Sequence, residues 1–278
     1  MEHRSLGFAI FVHVAALGVA LTVLAPLGWL FVMSVSSPAD LSAKPLHWWP
    51  DSIDLSRYRQ LLTPETGAAF LASLRNSIEV AAMATLGALL VGIPAGWAAS
   101  RNPKLGWTLG AVIATYMLPP VALSVPLYLI LAKLGLLNNV FGLALVYLSI
   151  LAPFVTWLLK AGFDPIPRDL EQAAAIDGAN LWQLLRIVIL PLALPVVATA
   201  LIFAFLLAWD EFFYGLLFTS NQDAKTLSVA IADLAGGRVS DYGLIATAGV
   251  IAALPPVAVG LLMQRALISG LTNGGVKG

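Results

Sequence analysis

Charged and apolar positions are segregated along this chain on a scale of tens of residues. Six stretches carry no Asp, Glu, Lys or Arg: Ser5–Ala39, Val80–Ser100, Leu105–Ala132, Leu134–Leu159, Ile187–Trp209 and Tyr242–Gln264. A helix needs roughly 20 apolar residues to cross the hydrocarbon core of a bilayer, and each stretch meets that length. Buried helices of soluble proteins are usually shorter. The pattern therefore predicts an all-α integral membrane protein with six transmembrane helices. The expected spans are 6–36, 78–100, 106–131, 139–162, 191–218 and 242–267, within one transmembrane domain over 1–278. The first stretch is too long for a signal peptide and lacks a convincing small-residue cleavage site. It is expected to be a retained span whose far end projects from the membrane.

Proline punctuates these stretches. Pro119, Pro120 and Pro126 fall in the third, Pro153 in the fourth, Pro255 and Pro256 in the sixth. Each removes a helix hydrogen bond, and the freed carbonyl needs another partner in lipid. The segment between the first two spans contains His47, Trp48 and Trp49, an expected interfacial anchor, and Asp54–Leu62, either a short surface helix or a linker. Six spans put both termini on one side. The short connection Ser100–Lys104 holds two cations against Lys133 alone in the next turn, so the positive-inside rule places both termini in the cytoplasm.

Between the fourth and fifth spans lies a polar interruption, residues 163–190, with the run EQAAAIDGANLWQLLRIVILP over Glu171–Pro191. Pro167 suits a first helical turn, and Asp169 and Glu171 suit the positive end of a helix. Ala-rich sequence continues to Gly178, a natural left-handed stop. Asn180 with Gln183 reads as a capping box opening a second helix. The loop is thus predicted as helix, Gly break, helix, with Leu170, Ala173, Ala174 and Asp177 on one face. A short helix with small side chains and an acidic tip suits docking into a protein cleft, or an ordinary surface role.

Composition narrows the chemistry. Of 278 residues 59% are hydrophobic and 11% charged, and the formal net charge is zero, so no nucleic-acid partner is expected. There are no cysteines and three dispersed histidines, which leaves no disulfide and no histidine metal cluster. No Gly-x-x-x-x-Gly-Lys phosphate loop occurs, so no ATPase site and no catalytic residues are expected here. Asp210 and Glu211 are adjacent acids in an apolar setting, about 28 Å along the fifth span from Pro191 at 1.5 Å per residue. They either end the span or line a pathway. Phe205, Trp209, Tyr214, Tyr128 and Tyr116 are aromatic candidates beside them.

The loop motif resembles the EAA loop of ABC importer permeases. That pattern is Glu-Ala-Ala, three residues, Gly, nine residues, Ile, any residue, Leu-Pro. Here Gln172-Ala173-Ala174, Gly178, Val188 and Leu190-Pro191 keep the spacing, with Gln172 for Glu, an acid one place earlier at Glu171, and Val188 for Ile. Nearly the whole chain is similar to the second permease of maltose-type carbohydrate importers. Arg75-Asn76-Ser77, Leu118-Pro119-Pro120, Leu134-Gly135-Leu136-Leu137-Asn138, Trp209-Asp210-Glu211-Phe212 and the tail Gly270–Gly278 carry the likeness. Asp210 stands where Asn is commoner.

The resemblance implies a type I ABC importer permease fold in a bacterial cytoplasmic (inner) membrane. It implies a sibling permease, two ATP-binding subunits carrying ATP and Mg, an extracytoplasmic solute-binding protein, a sugar-like substrate and surrounding lipid. No cofactor is implied for this chain. Coupling to the ATPase would fall to Glu171, Gln172, Ala173, Ala174, Asp177 and Gly178. The substrate pathway would draw on Trp209, Asp210, Glu211, Phe205, Tyr128 and Tyr116, with Asp210 and Glu211 either lining it or contacting the sibling permease. Thr219–Asp241 would face the solute-binding protein. A glycerol-phosphate or other polyol importer is the near alternative. An ATP-independent secondary transporter or channel is the distant one, for which only Asp210-Glu211 could serve as coupling acids and no internal repeat is seen. A non-transporting scaffold would leave the Ala-rich loop helix unexplained.

Overall fold

In the computed structural model, residues 6–45, 48–236 and 241–275 are described, and every regular element among them is helical. His47, Gly237, Arg238, Arg4 and the last three residues of the tail lie outside them. In chain order the helices are α1 (Leu6–Val35), α2 (Pro38–Ser42), α3 (Ser56–Leu62), α4 (Pro64–Arg101), α5 (Pro103–Ala114), α6 (Pro120–Lys133), α7 (Val140–Phe163), α8 (Arg168–Ile176), α9 (Leu181–Gln183), α10 (Leu190–Trp209), α11 (Phe213–Phe218), α12 (Leu227–Ala235) and α13 (Tyr242–Gly275). Among the described residues five helical stretches are long and apolar enough to cross a membrane, with Pro120–Lys133 a shorter apolar helix.

Three expected boundaries move, each for a local reason. The helix that carries the second expected span starts fourteen residues before it, at Pro64 rather than 78. Its extra turns carry charge on the helix surface, where Arg75 and Glu79 pair at 2.6 Å one turn apart. The third span is not one helix. α5 ends in a 3-10 turn, Thr115–Met117, and Leu118 and Pro119 are extended, with ψ of 130° and 134°. A proline disfavours the helical conformation in the residue before it, and Leu118 and Pro119 each precede one. The fifth span breaks at Asp210–Phe212, between α10 and α11. By contrast Pro255 and Pro256 sit inside α13 without ending it.

The contacts divide the chain into two compact units, Met1–Leu71 with Ile231–Leu254, and Ala72–Ala230 with Pro255–Gly278. In the first, Arg57 of α3 is buried and donates from Nε to Asp241 at 3.1 Å and from Nη1 to the Ser36 carbonyl. Tyr58 meets the Ser34 hydroxyl at 2.7 Å, and Thr247 donates to the Ser34 carbonyl at 3.2 Å. Within the Asp54–Leu62 stretch, Ser56–Leu62 is therefore a helix whose Arg57 and Tyr58 tie the end of α1 to the head of α13.

Burial would raise the Asp241 carboxyl, but the Arg57 hydrogen bond and charge, with the Leu244 and Gly243 amides, outweigh it and hold the group below the usual carboxylate range. A depressed pKa contributes stability above the unfolded value of about 3.9 and loses it as pH falls through the folded one. Thermal melting of the solubilised protein should thus show no loss from this pair between about pH 5 and 8. Asp241→Asn should lower the melting temperature across that whole window.

The second unit is organised around α7. Leu143, Tyr147, Leu151, Val155 and Leu159 recur every fourth residue and are 0–2% exposed. Against this stripe α4 presents Gly92 and Gly96, and Ala84 and Ala88 are buried at the same four-residue spacing. A Cβ on Gly96 would lie 3.0 Å from the Thr156 carbonyl oxygen and 3.1 Å from the Lys160 nitrogen. Small residues at this spacing let membrane helices approach backbone to backbone. Gly96→Leu is expected to force α4 and α7 apart and cut the yield of folded, membrane-inserted protein severalfold, read by detergent-extracted monodisperse material.

Candidate functional site

Two regions carry the polar chemistry. The first is the loop between α7 and α10. α8 covers Arg168–Ile176 with Pro167 as N-cap and Asp169 and Glu171 in its first turn. Gly178 has φ +82°, a conformation that favours glycine. The Asn180 side chain accepts from the Gln183 amide and Gln183 reciprocates to the Asn180 amide, both at 2.9 Å. Beyond α9, Leu184–Ile189 forms a π-helical turn that runs directly into α10. Pro191 lacks an N–H and its ring crowds the carbonyl four residues back, which the wider turn relieves.

The loop's polar face is turned differently from its sequence pattern. Glu171 points into the protein. Its Oε1 accepts from Arg101 Nε at 2.6 Å and from Trp97 Nε1 at 3.3 Å, and both charged side chains are about 15% exposed. Ala174, one turn on, is half-buried on the same side. Leu170, Gln172, Ala173, Asp177 and Gly178 face outward. Beside them the large apolar side chains of Ile176, Leu181 and Trp182 are 87%, 68% and 68% exposed. The expected face Leu170–Ala173–Ala174–Asp177 is thus split, with Ala174 leaving it. Ile176, Leu181 and Trp182 join the outer surface. Their signal was available: three large apolar side chains in the most polar stretch of the chain.

The second region is the break in the fifth span. Trp209 ends α10, is buried, and stacks on Phe205 with ring centroids 5.8 Å apart. Asp210 is exposed at the C-cap, its N–H donating to the Leu206 carbonyl. Glu211 accepts from the Tyr214 amide at 2.9 Å and the Gly215 amide at 3.2 Å, one oxygen each. Its carboxylate therefore caps α11, where a negative charge is favoured. Tyr147 donates from its hydroxyl to the Glu211 carbonyl at 3.3 Å, and Tyr214 to the Pro120 carbonyl at 3.2 Å, so the two breaks are linked.

Glu211 and Tyr116 line one cavity of about 200 Å³ with Tyr147, Leu207 and Ala208. Tyr116 also lines a neighbouring cavity of about 150 Å³ with Tyr214 and Ser149. Phe205 and Trp209 pack on each other, and Tyr128 lies elsewhere, beside Phe218 at 6.3 Å. Of the expected pathway residues the structure brings Glu211 and Tyr116 together. It adds Tyr147, a buried tyrosine indistinguishable from core by sequence.

On the other side of the second unit, the turn before α12 is stitched down. Asn76 donates to the carbonyls of Gln222 and Lys225 at 3.0 and 3.1 Å, and the Ser77 hydroxyl accepts from the Leu227 amide at 2.7 Å. Asn138 accepts from the Ser220 hydroxyl at 3.0 Å. Ser220, Asn221, Gln222 and Asp223 remain exposed.

Residues 59–273 match the family of binding-protein-dependent transport system inner membrane components. The chain belongs to that family. The permease is 37% identical over 255 residues to the sulfoquinovosyl glycerol transport system permease protein SmoH of Agrobacterium fabrum, covering 91% of this chain and 88% of that one. It is 34% identical over 259 residues to the trehalose transport system permease protein SugB of Mycobacterium tuberculosis, covering 92% and 93%. Among solved structures it resembles a bacterial ABC transporter involved in the import of the acidic polysaccharide alginate. There the TM-score is 0.79 at 25% identity, covering 96% of this permease and all of that chain. The permease is therefore a multi-pass inner-membrane transport component with the importer permease fold, working with a binding protein. The breaks in its third and fifth spans are features of a transport protein, where irregular backbone is tolerated if it lines a cavity or is buried in protein.

Proposed function

We propose that this permease forms part of the pathway of an ATP-driven saccharide importer, paired with a sibling permease and seated on two ATP-binding subunits. ATP and Mg belong to those subunits, and both termini face the cytoplasm. The observation that carries this is the surface of the α8–α9 loop. A helix of nine residues, closed by a left-handed glycine and held by a half-buried ion pair, presents bare Ile176, Leu181 and Trp182 next to Gln172, Ala173 and Asp177. Apolar side chains left bare together in a polar loop mark a protein contact, and the loop's rigidity suits force transfer.

The saccharide assignment draws on relatives whose substrates are named as sulfoquinovosyl glycerol and trehalose. Hydroxyl-rich solutes suit the mixed carboxylate and tyrosine character around Asp210, Glu211 and Tyr116. The fixed, exposed turn Ser220–Asp223 offers hydrogen-bonding groups to the solute-binding protein. A photo-crosslinker replacing Ile176 in the assembled complex should capture an ATP-binding subunit. Capture of that subunit from the Ser220 turn instead, with none from position 176, would refute the docking assignment. A panel of mono- and disaccharides and polyols against the partner binding protein identifies the solute.

A further inference from the structure

Arg101 is the last residue of α4, and each nitrogen of its guanidinium donates a hydrogen bond. Nε meets Glu171 of α8 at 2.6 Å, Nη1 donates to the Phe163 carbonyl at the end of α7 at 3.1 Å, and Nη2 donates to the Ile166 carbonyl at 3.2 Å. Arg168 returns a bond from Nη2 to the Arg101 carbonyl at 3.2 Å, and Trp97, one turn back on α4, adds its indole N–H to the same Glu171 oxygen. Arg101 and Glu171 are 14% and 15% exposed, so water competes little for either.

α8 has three mechanical connections. The chain leads to α7 through residues 164–167. It leads to α10 through the Gly178 turn and the π-helical turn, against which α8 also packs. The third is the side-chain cluster on the end of α4, centred on the Arg101–Glu171 pair, with Trp97 on the same carboxylate and Arg168 on the Arg101 carbonyl. An arginine held by a carboxylate and two carbonyls is geometrically fixed, because its donors form a planar fork.

We infer that Arg101 and Glu171 form a latch that makes α8 move as one body with the inner end of α4, so that force received by α8 enters the second span as well as the fourth and fifth. Both are positioning residues. The inference rests on α8 being the docking helix. It also assigns Glu171 an internal task, leaving Arg168, Asp169 and Gln172 as the outward polar groups at that end of α8.

The test uses the whole complex in proteoliposomes, with uptake and ATP hydrolysis measured together. Glu171→Ala should assemble with its ATP-binding subunits in native yield, hydrolyse ATP within twofold of native, and lose at least tenfold in solute moved per ATP. Glu171→Gln, a neutral isostere, should lose three- to fivefold. Because the chain has no cysteine, the pair Arg101→Cys with Glu171→Cys can be joined by a short bifunctional thiosulfonate. Uptake per ATP should be low before joining, recover to at least half of native after it, and fall again on reduction.

Native uptake per ATP in both Glu171 variants would overturn the latch. So would loss of the ATP-binding subunits from Glu171→Ala, or no recovery in the joined pair. Position 176 separates the two claims. If it captures an ATP-binding subunit while the Glu171 variants transport normally, the latch fails and the docking assignment stands. If it captures none, the docking assignment fails.

Discussion

Ile176→Glu is expected to abolish ATP-driven uptake while the permease still reaches the membrane. Ile176 is 87% exposed, so the change costs the isolated fold almost nothing. In a docked complex it would bury an unpaired carboxylate where an apolar anchor belonged. Truncating such an anchor typically costs 2 kcal/mol or more, about thirtyfold in affinity, and a buried charge costs more. Gly178→Pro should act on the same step by another route. Proline locks φ near −65°, whereas Gly178 sits at +82°, so α9 could not keep its present angle to α8. Uptake of labelled solute by whole cells, beside an immunoblot of the membrane fraction, checks both. Native uptake in both variants would remove α8 and its flanking turn from the coupling route.

Glu211→Ala is the second large effect. The Glu211 carboxylate is the acceptor for two amides of α11, and its carbonyl takes the Tyr147 hydroxyl. Removing the side chain leaves the Tyr214 and Gly215 amides without that acceptor in an apolar setting, at about 1–3 kcal/mol each. Water reaching the neighbouring cavity would soften this. The expectation is a drop of several degrees in melting temperature of the purified complex and at least a tenfold loss of uptake. Glu211→Gln keeps one acceptor oxygen and should retain a third or more of native uptake. Asp210→Asn changes no backbone partner and should leave melting unaltered. An unchanged melting temperature in Glu211→Ala would show that α11 does not depend on this cap.

The loop that was most legible from sequence is also the most local. Gly178, the Asn180–Gln183 box and the acidic start of α8 are decided within one or two helical turns, and the structure keeps all three. Five of the six apolar stretches likewise fall in helices long and apolar enough to cross a membrane, because bilayer thickness sets a minimum length on a span, while the third is split between α5 and α6. What sequence could not reveal are pairings across the fold. Glu171 meets Arg101 seventy residues away, and nothing in either neighbourhood announces the other. The same holds for Asn76 with Gln222 and Lys225, although the Arg75-Asn76-Ser77 motif flagged the place. The breaks in the third and fifth spans lie between. Pro119-Pro120 marked a disturbance, but whether proline kinks a helix or ends it depends on partners for the freed carbonyls. α13 keeps its paired prolines and the third span does not. The Gly92–Gly96 spacing against α7 was readable in principle, since small residues four apart are a membrane-helix contact signal.

Purified permease reconstituted with its sibling, its ATP-binding subunits and its solute-binding protein decides the central claim. Labelled saccharide inside proteoliposomes is counted with and without ATP, and with and without the binding protein. Uptake should require all four proteins and ATP, and this permease alone should move nothing. Saccharide movement by the permease alone, without ATP, would contradict its assignment to an ATP-driven importer.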